Sequence, residues 1–155
     1  SGLLQTAARN GDVVKTLPCK GKGLIRVVGQ AMGCSGDPSL LSTFVEAEVR
    51  ATHLGRSLMA MTACWTPAME FVSGTGTLTA ANGDHLFVHG SFEEYGTTHP
   101  FYPDGTWDFG PLPFVGGTGR FENAEGTIRS WGTMNEAMEG TMMFVGQISS
   151  VGSSK

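Results

Sequence analysis

Charged residues are scarce in this chain, at 15% of 155 residues against about 25% in ordinary globular domains. There is no run of lysine or arginine and the formal net charge is −4, which argues against a nucleic-acid partner. No apolar stretch approaches the ~20 residues that a membrane-spanning helix needs, so we expect no membrane span. Hydrophobic residues make up 40% of the chain, which excludes a disordered protein and predicts a folded core.

Motifs for catalysis, cofactors and metals are also missing, and we predict no cofactor and no metal site. The sequence GGTG at 116–119 resembles a phosphate loop, but no Lys-Ser/Thr follows it. We therefore expect Arg120 to pair with a carboxylate or with backbone carbonyls rather than to anchor an anion. His85 and His89 share a face of one predicted strand but would lie ~13 Å apart, too far for one metal ion. We interpret them as exposed or hydrogen-bonded histidines.

Glycine, by contrast, is abundant: 23 residues scattered along the chain, which favours many tight turns. The densest stretch is VGGTGRFENAEG, from Val115 to Gly126, and it leads into the strand-like residues 127–131. Asn82-Gly83 separates two β-like runs and is a strong hairpin signal, because both positions favour positive φ. About seven or eight strands follow from this pattern, the first of them beginning near Gly23, and no convincing helix.

The fold predicted from these strands is all-β, a closed antiparallel eight-stranded barrel, because closure removes the sheet edges. A two-sheet β-sandwich is the alternative, since turn spacing alone does not separate the two. We divide the chain into an N-terminal arm over residues 1–19, a single barrel domain over 20–150 and a tail over 151–155. The chain begins at Ser1-Gly2 without methionine, which a removed export signal and a cleaved tag would both explain.

The clearest alternation runs from Thr43 to His53. Small apolar residues fall on one side of this predicted strand: Val45, Ala47, Val49 and Ala51. Charged residues fall on the other side: Glu46, Glu48 and Arg50. We expect the charges to point outward, and the small inner residues then leave space for a cavity. If the charges pointed inward instead, Arg50 and Glu48 would bind the polar head group of a ligand.

A long irregular segment, Tyr95 to Pro113, holds four of the seven prolines and five aromatic residues. Long loops in compact domains tend to be functional, and aromatics beside carboxylates at a barrel mouth suit ligand binding. A loop that only packs on the barrel would need the same aromatics. From this segment we predict His99, Tyr102 and Trp107 as ligand contacts, and we assign no catalytic residue.

Three phrases carry a family resemblance: EVRATHLG at 48–55, GTGTLTAANGD at 74–84 and VGGTGRFENAEGT at 115–127. In this order they resemble small exported bacterial proteins related to the allene oxide cyclase and dirigent barrels. The resemblance implies an eight-stranded antiparallel barrel with an apolar lumen, a secreted or periplasmic location, and a possible homo-oligomer, as in plant members. No catalytic residue of the plant enzymes maps onto this chain.

The three cysteines are placed by the strand order of an up-and-down meander. Cys34 follows the first strand and Cys64 ends the third, so both lie at one end of the barrel, whereas Cys19 lies at the other. We predict a Cys34–Cys64 disulfide with Cys19 free, the alternative being three reduced thiols.

These features predict an exported barrel that binds a small apolar molecule in its lumen. The alternative is a cyclase or isomerase of the allene oxide cyclase type acting on a hydrophobic substrate, because shape and orientation alone can catalyse such reactions. A module used only for protein interaction is a third possibility. A buried Glu, His or Tyr facing the lumen would favour catalysis.

Overall fold

The computed structural model describes residues 5–9 and 12–149, with side chains from 15 to 149. It contains nine strands, one short α-helix and one 3-10 turn. The strands are β1 (Gln5–Arg9), β2 (Asp12–Cys34), β3 (Asp37–Ala51), β4 (Gly55–Trp65), β5 (Phe71–Thr79), β6 (His85–Ser91), β7 (Thr106–Gly117), β8 (Gly126–Thr133) and β9 (Glu139–Ser149). The helix α1 covers Phe92–Tyr95, and the 3-10 turn covers Gly119–Phe121.

Strand pairing closes the sheet into a barrel. Each strand pairs antiparallel with the next along the chain, and β9 returns to pair with β2 from Thr16↔Ser149 to Arg26↔Glu139. Strands β2 to β9 therefore form a closed eight-stranded antiparallel barrel, which confirms the predicted fold class. The sandwich alternative is wrong, because a sandwich has two separate sheets, whereas β2 to β9 here form one sheet that closes on itself.

The N-terminal segment differs from the expected arm. Strand β2 begins at Asp12 rather than near Gly23, and its first residues pair with β1 on one side. Pro18 predicts that the arm ends before the barrel begins, because proline lacks the N–H that a central strand needs. Pro18 lies instead where β2 pairs only with β9, and its carbonyl accepts a hydrogen bond from His53 Nε2 at 3.1 Å. The predicted tail, 151–155, lies outside the described residues.

The two faces of β3 are divided as the alternation predicts. Ala47 and Val49 are buried in the lumen, while Glu46, Glu48 and Arg50 are exposed on the outer wall. The Arg26–Glu46 ion pair, at 3.3 Å, lies on that wall, where a solvated pair contributes little to stability.

One end of the barrel is sealed by the glycine-rich segment, and we call it the closed end. Phe121, Leu54 and Leu86 fill it and are almost fully buried. Gly119 has φ +56°, and a Cβ there would overlap the carboxylate of Asp84. Only glycine combines this left-handed backbone with so close an approach.

Arg120 joins three connections at the closed end. Its Nη2 donates to the His53 carbonyl at 2.9 Å, its Nε lies 3.4 Å from Asp84 Oδ2, and its guanidinium lies over the Phe121 ring. These contacts link the β3–β4, β5–β6 and β7–β8 connections. The predicted structural role of Arg120 matches these contacts, which include both a carboxylate and a carbonyl.

At the opposite end, a disulfide joins Cys34 to Cys64, with their Cα atoms 5.6 Å apart. It links the β2–β3 turn to the end of β4. Cys19 is buried and free. Burial raises the pKa of the Cys19 thiol to about 11, so this thiol stays protonated and unreactive at neutral pH.

Candidate functional site

The lumen holds a cavity of about 290 Å³ in the half of the barrel away from the closed end. All eight barrel strands contribute to its wall, which includes six of the eight methionines. These are Met59, Met61, Met69, Met134, Met138 and Met142. Among the residues that the structure describes, no Asp, Glu, Lys or Arg lines the cavity. The wall is therefore apolar and, because methionine is flexible, adaptable in shape.

The mouth of the cavity is ringed by exposed apolar side chains. Met69, Phe101 and Met138 line the cavity and are 54%, 52% and 39% exposed. Each comes from a different connection at the end away from Arg120. Gln30, also exposed, is the polar residue at this rim. A ligand would enter at this mouth, since the closed end is filled.

Residues 97–110 fold back over the lumen, and we call this segment the cap hairpin. Two bridges, Thr98↔Gly110 and Phe101↔Trp107, pair its two arms. The Thr97 hydroxyl donates to the Pro111 carbonyl at 2.7 Å and fixes its base. Four rings of the cap hairpin line the cavity: His99, Phe101, Trp107 and Phe109. The long irregular segment is thus a paired extension of β7 that places aromatics over the lumen.

His99 occupies an aromatic cage inside the cavity wall. Its ring stacks on Phe109 at 4.2 Å and on Phe101 at 4.8 Å between centroids, with interplanar angles of 12° and 20°. Trp65 and Trp107 each lie 5.3 Å away. Burial lowers the pKa of His99 from 6.5 to about 4, although a hydrogen bond to the Asp108 carbonyl acts in the opposite direction. The imidazole is therefore neutral at pH 7.

Trp107, a predicted contact, is buried in the wall, and its Nε1 donates to the Thr133 carbonyl at 3.0 Å. Trp65 belongs to the same cluster, with Nε1 donating to Thr43 Oγ1 at 2.9 Å. Sequence reasoning missed Trp65. Alternation along β4 contains the signal, because Met59, Met61 and Trp65 share one face of that strand.

Three of the predicted ligand contacts do not face the cavity. Tyr102 is 44% exposed at the tip of the cap hairpin, where its hydroxyl donates to Asp108 Oδ2 at 2.7 Å. This hydrogen bond raises the pKa of Tyr102. Glu48 and Arg50 lie on the outer wall of β3, so the inward orientation that a lumen head-group site would require is not present. The structure brings only His99 and Trp107 together in the lumen.

The remaining histidines lie outside the lumen. His85 Nδ1 lies 3.0 Å from Thr79 Oγ1, and His89 Nδ1 lies 2.8 Å from Thr75 Oγ1, both between β5 and β6. Within the described part of the chain, no group of three His, Cys, Asp or Glu side chains is placed to hold a metal ion. In the same part, no helix has the length and apolarity to cross a membrane.

Comparisons with known proteins found similarity only among solved structures. No family model matches the chain, and no curated protein matches it. The solved pterocarpan synthase dirigent protein GePTS1 is 11% identical with a TM-score of 0.49, covering 90% of this chain and 86% of that one. The pterocarpan synthase dirigent protein PsPTS1 is 12% identical with a TM-score of 0.48, covering 89% and 96%.

Proposed function

We propose that this protein binds a small apolar molecule in its lumen. The observation that carries the proposal is the cavity itself: about 290 Å³, walled by methionines and aromatic rings, and bordered by exposed apolar side chains at one end. Small-molecule sites are commonly cavities of roughly 300–1,000 Å³ with apolar walls and few polar groups. This cavity lies at the lower limit, so the ligand is small.

The composition of the wall supports an uncharged ligand. An ionised group moved into an apolar cavity loses its hydration and requires a charged or strongly polar partner. No charged side chain among the described residues lines the cavity. An apolar molecule, in contrast, gains roughly 25 cal/mol for each Å² of apolar surface removed from water.

We also propose that the protein is exported, to a secreted or periplasmic location. The Cys34–Cys64 disulfide supports this, because disulfides persist in oxidising compartments and are rare in the cytosol.

We further propose that the protein forms a homo-oligomer, because large apolar side chains such as Leu24 and Leu58 are 65% and 60% exposed on the outer wall. Native mass spectrometry reports both the oligomeric state and any retained ligand.

Equilibrium dialysis with naphthalene tests lumen binding, because the probe is uncharged and small. Ala63 lines the cavity and Ala60 faces outward on the same strand, so Ala63→Phe and Ala60→Phe form a matched pair. Ala63→Phe should weaken binding by about tenfold or more, because the new ring occupies space that the ligand needs. Ala60→Phe should bind as the wild type does. Equal binding by both variants would place the probe outside the lumen and contradict the proposal.

A cyclase or isomerase is the second candidate, and His99 is the observation that favours it. Of the residues lining the cavity, His99 is the titratable one, and a neutral imidazole is able to accept a proton from a bound substrate. Because isomerisation conserves mass, the test must separate isomers: a compound retained by the protein is eluted after incubation and examined by chromatography and NMR. If the compound is recovered unchanged, the result supports binding. If the wild type converts it to an isomer and the His99→Phe variant does not, the result supports catalysis.

A further inference from the structure

The polar groups of the cavity differ in what they are able to bind. Ser130 and Thr43 present hydroxyls, each of which both donates and accepts a hydrogen bond, so neither selects a ligand by hydrogen-bond type. The imidazole of His99 is more selective. In its neutral form one ring nitrogen donates and the other accepts, and the partner of the first determines the role of the second.

The first ring nitrogen of His99 is already occupied. Nδ1 lies 2.9 Å from the Asp108 carbonyl oxygen, and a carbonyl only accepts, so Nδ1 carries the hydrogen and donates. In the neutral ring, Nε2 then has no hydrogen and presents a lone pair. Phe101 and Phe109 cover the two ring faces, so the ring cannot turn to exchange the two nitrogens without disrupting both stacks.

The second ring nitrogen is accessible and belongs to a ring that lines the cavity. Within the described residues, no buried side-chain nitrogen or oxygen lacks a hydrogen-bond partner. No protein group bonds Nε2, so this atom is accessible rather than sealed, and the ring to which it belongs lines the cavity.

Building on the proposed lumen binding, we propose that His99 Nε2 selects an uncharged ligand that presents an O–H or N–H group to it. The aromatic cage and the methionine wall hold the apolar body of the ligand. The lone pair of Nε2 accepts the single hydrogen that the ligand donates. A ligand of the same shape without a donor leaves Nε2 buried and unpaired, which is the costly outcome for a polar group.

The test compares 2-naphthol with naphthalene, which share an apolar body and differ in one hydroxyl. Equilibrium dialysis at pH 7 keeps 2-naphthol uncharged. The wild type should bind 2-naphthol about tenfold more tightly, after each affinity is corrected for partition of the probe into octanol. His99→Phe keeps a flat ring between Phe101 and Phe109 but removes the acceptor. This variant should lose the preference, so that the ratio of its corrected affinities for 2-naphthol and naphthalene falls towards one.

Imidazole ¹⁵N chemical shifts of the wild type provide a second measurement that needs no variant. Nε2 should give the resonance of an unprotonated ring nitrogen at pH 7, and it should shift when 2-naphthol binds but not when naphthalene binds. Equal affinities for the two probes, or a protonated Nε2, would overturn the selection by His99 and leave lumen binding standing. Failure of both probes to bind would contradict lumen binding as well.

Discussion

The imidazole of His99 lies almost parallel to the ring of Phe109, with the ring centroids 4.2 Å apart. The two residues come from opposite arms of the cap hairpin, so the stack joins those arms inside the barrel. It also excludes water from one face of an ionisable ring. The same contact therefore contributes to the stability of the cap hairpin and to the chemistry of the cavity wall.

Acid should destabilise the protein through His99. The unfolded chain binds a proton below pH 6.5, whereas the folded state binds one only below about pH 4. Between these values the unfolded state holds more protons, so stability is complete above pH 6.5 and falls as the pH drops towards 4. The expected loss is about 2–3 kcal/mol. Urea unfolding measured at intervals from pH 7 to pH 4 checks it.

Two controls separate His99 from other groups. His99→Phe should flatten the pH dependence in this window, while His89→Phe, on the outer wall, should retain it. The loss of stability from carboxylates with lowered pKa, such as Asp37, Asp84 and Asp104, sets in as the pH approaches their unfolded value of 3.8, so it affects mainly the acid limit of this window. The carbonyl and the charge of Asp108 raise the pKa of His99, but by less than burial lowers it. A His99→Phe curve as steep as that of the wild type would contradict this account.

Removal of Arg120 should loosen the closed end. Arg120→Ala leaves the His53 carbonyl and the Asp84 carboxylate without this partner, and we expect a loss of about 1–3 kcal/mol in the free energy of unfolding. Arg56→Ala, on the exposed face of β4, is the control and should change stability little. Chemical denaturation of both variants is the measurement. Equal losses would show that the three connections do not depend on Arg120.

Gly119 should tolerate alanine less well than Gly36. Both have positive φ, +56° and +80°, so alanine carries a similar backbone cost of about 1–2 kcal/mol at either site. At Gly36 no atom lies within 4 Å of the added Cβ, whereas at Gly119 the Asp84 carboxylate occupies that place. Thermal unfolding should therefore show a clearly larger loss for Gly119→Ala. Similar values at the two sites would mean that the Asp84 side chain moves aside freely.

The disulfide should stabilise the barrel by restricting the unfolded chain. Its cysteines are 30 residues apart, and closure of a loop of that length corresponds to about 3.6 kcal/mol in the chain-entropy treatment. Cys34→Ala with Cys64→Ala should lose that amount in urea unfolding. Peptide mapping without reduction should find Cys34 and Cys64 joined, and Cys19, which is buried, should react with alkylating reagents only after unfolding. Alkylation of Cys34 in the unreduced native protein would rule out the bridge.

Much of the architecture follows from local patterns. The alternation through β3 predicted which residues enter the lumen, because side chains of a strand point to opposite faces in turn. The Asn82-Gly83 pair lies in the connection between β5 and β6, where Gly83 takes a positive φ of +92°. Because consecutive strands run in opposite directions, the first and third predicted strands end at the same end of the barrel, and this placed Cys34 and Cys64 together. Each inference needs only neighbours along the chain or the order of strands.

The candidate site was predicted only in part. His99, Tyr102 and Trp107 come from one irregular segment, in which no period shows the direction of a side chain. Pairing of the two arms turns His99 and Trp107 inward and leaves Tyr102 at the tip. Trp65, contributed by β4, was missed because it lies far from that segment in sequence.

The sequence by itself determined most of the strands, the two faces of β3 and the end of the barrel at which Cys34 and Cys64 lie, because these depend on a two-residue period, on turn chemistry and on strand order. Only the tertiary structure decided that β9 closes on β2, that β2 starts at Asp12, and that His99 is neutral. Those outcomes depend on segments far apart in the chain: β2 and β9 for closure, and β4 with the cap hairpin for the cage. Burial and desolvation depend on all of the atoms that surround a group, and no local sequence pattern specifies which atoms those are.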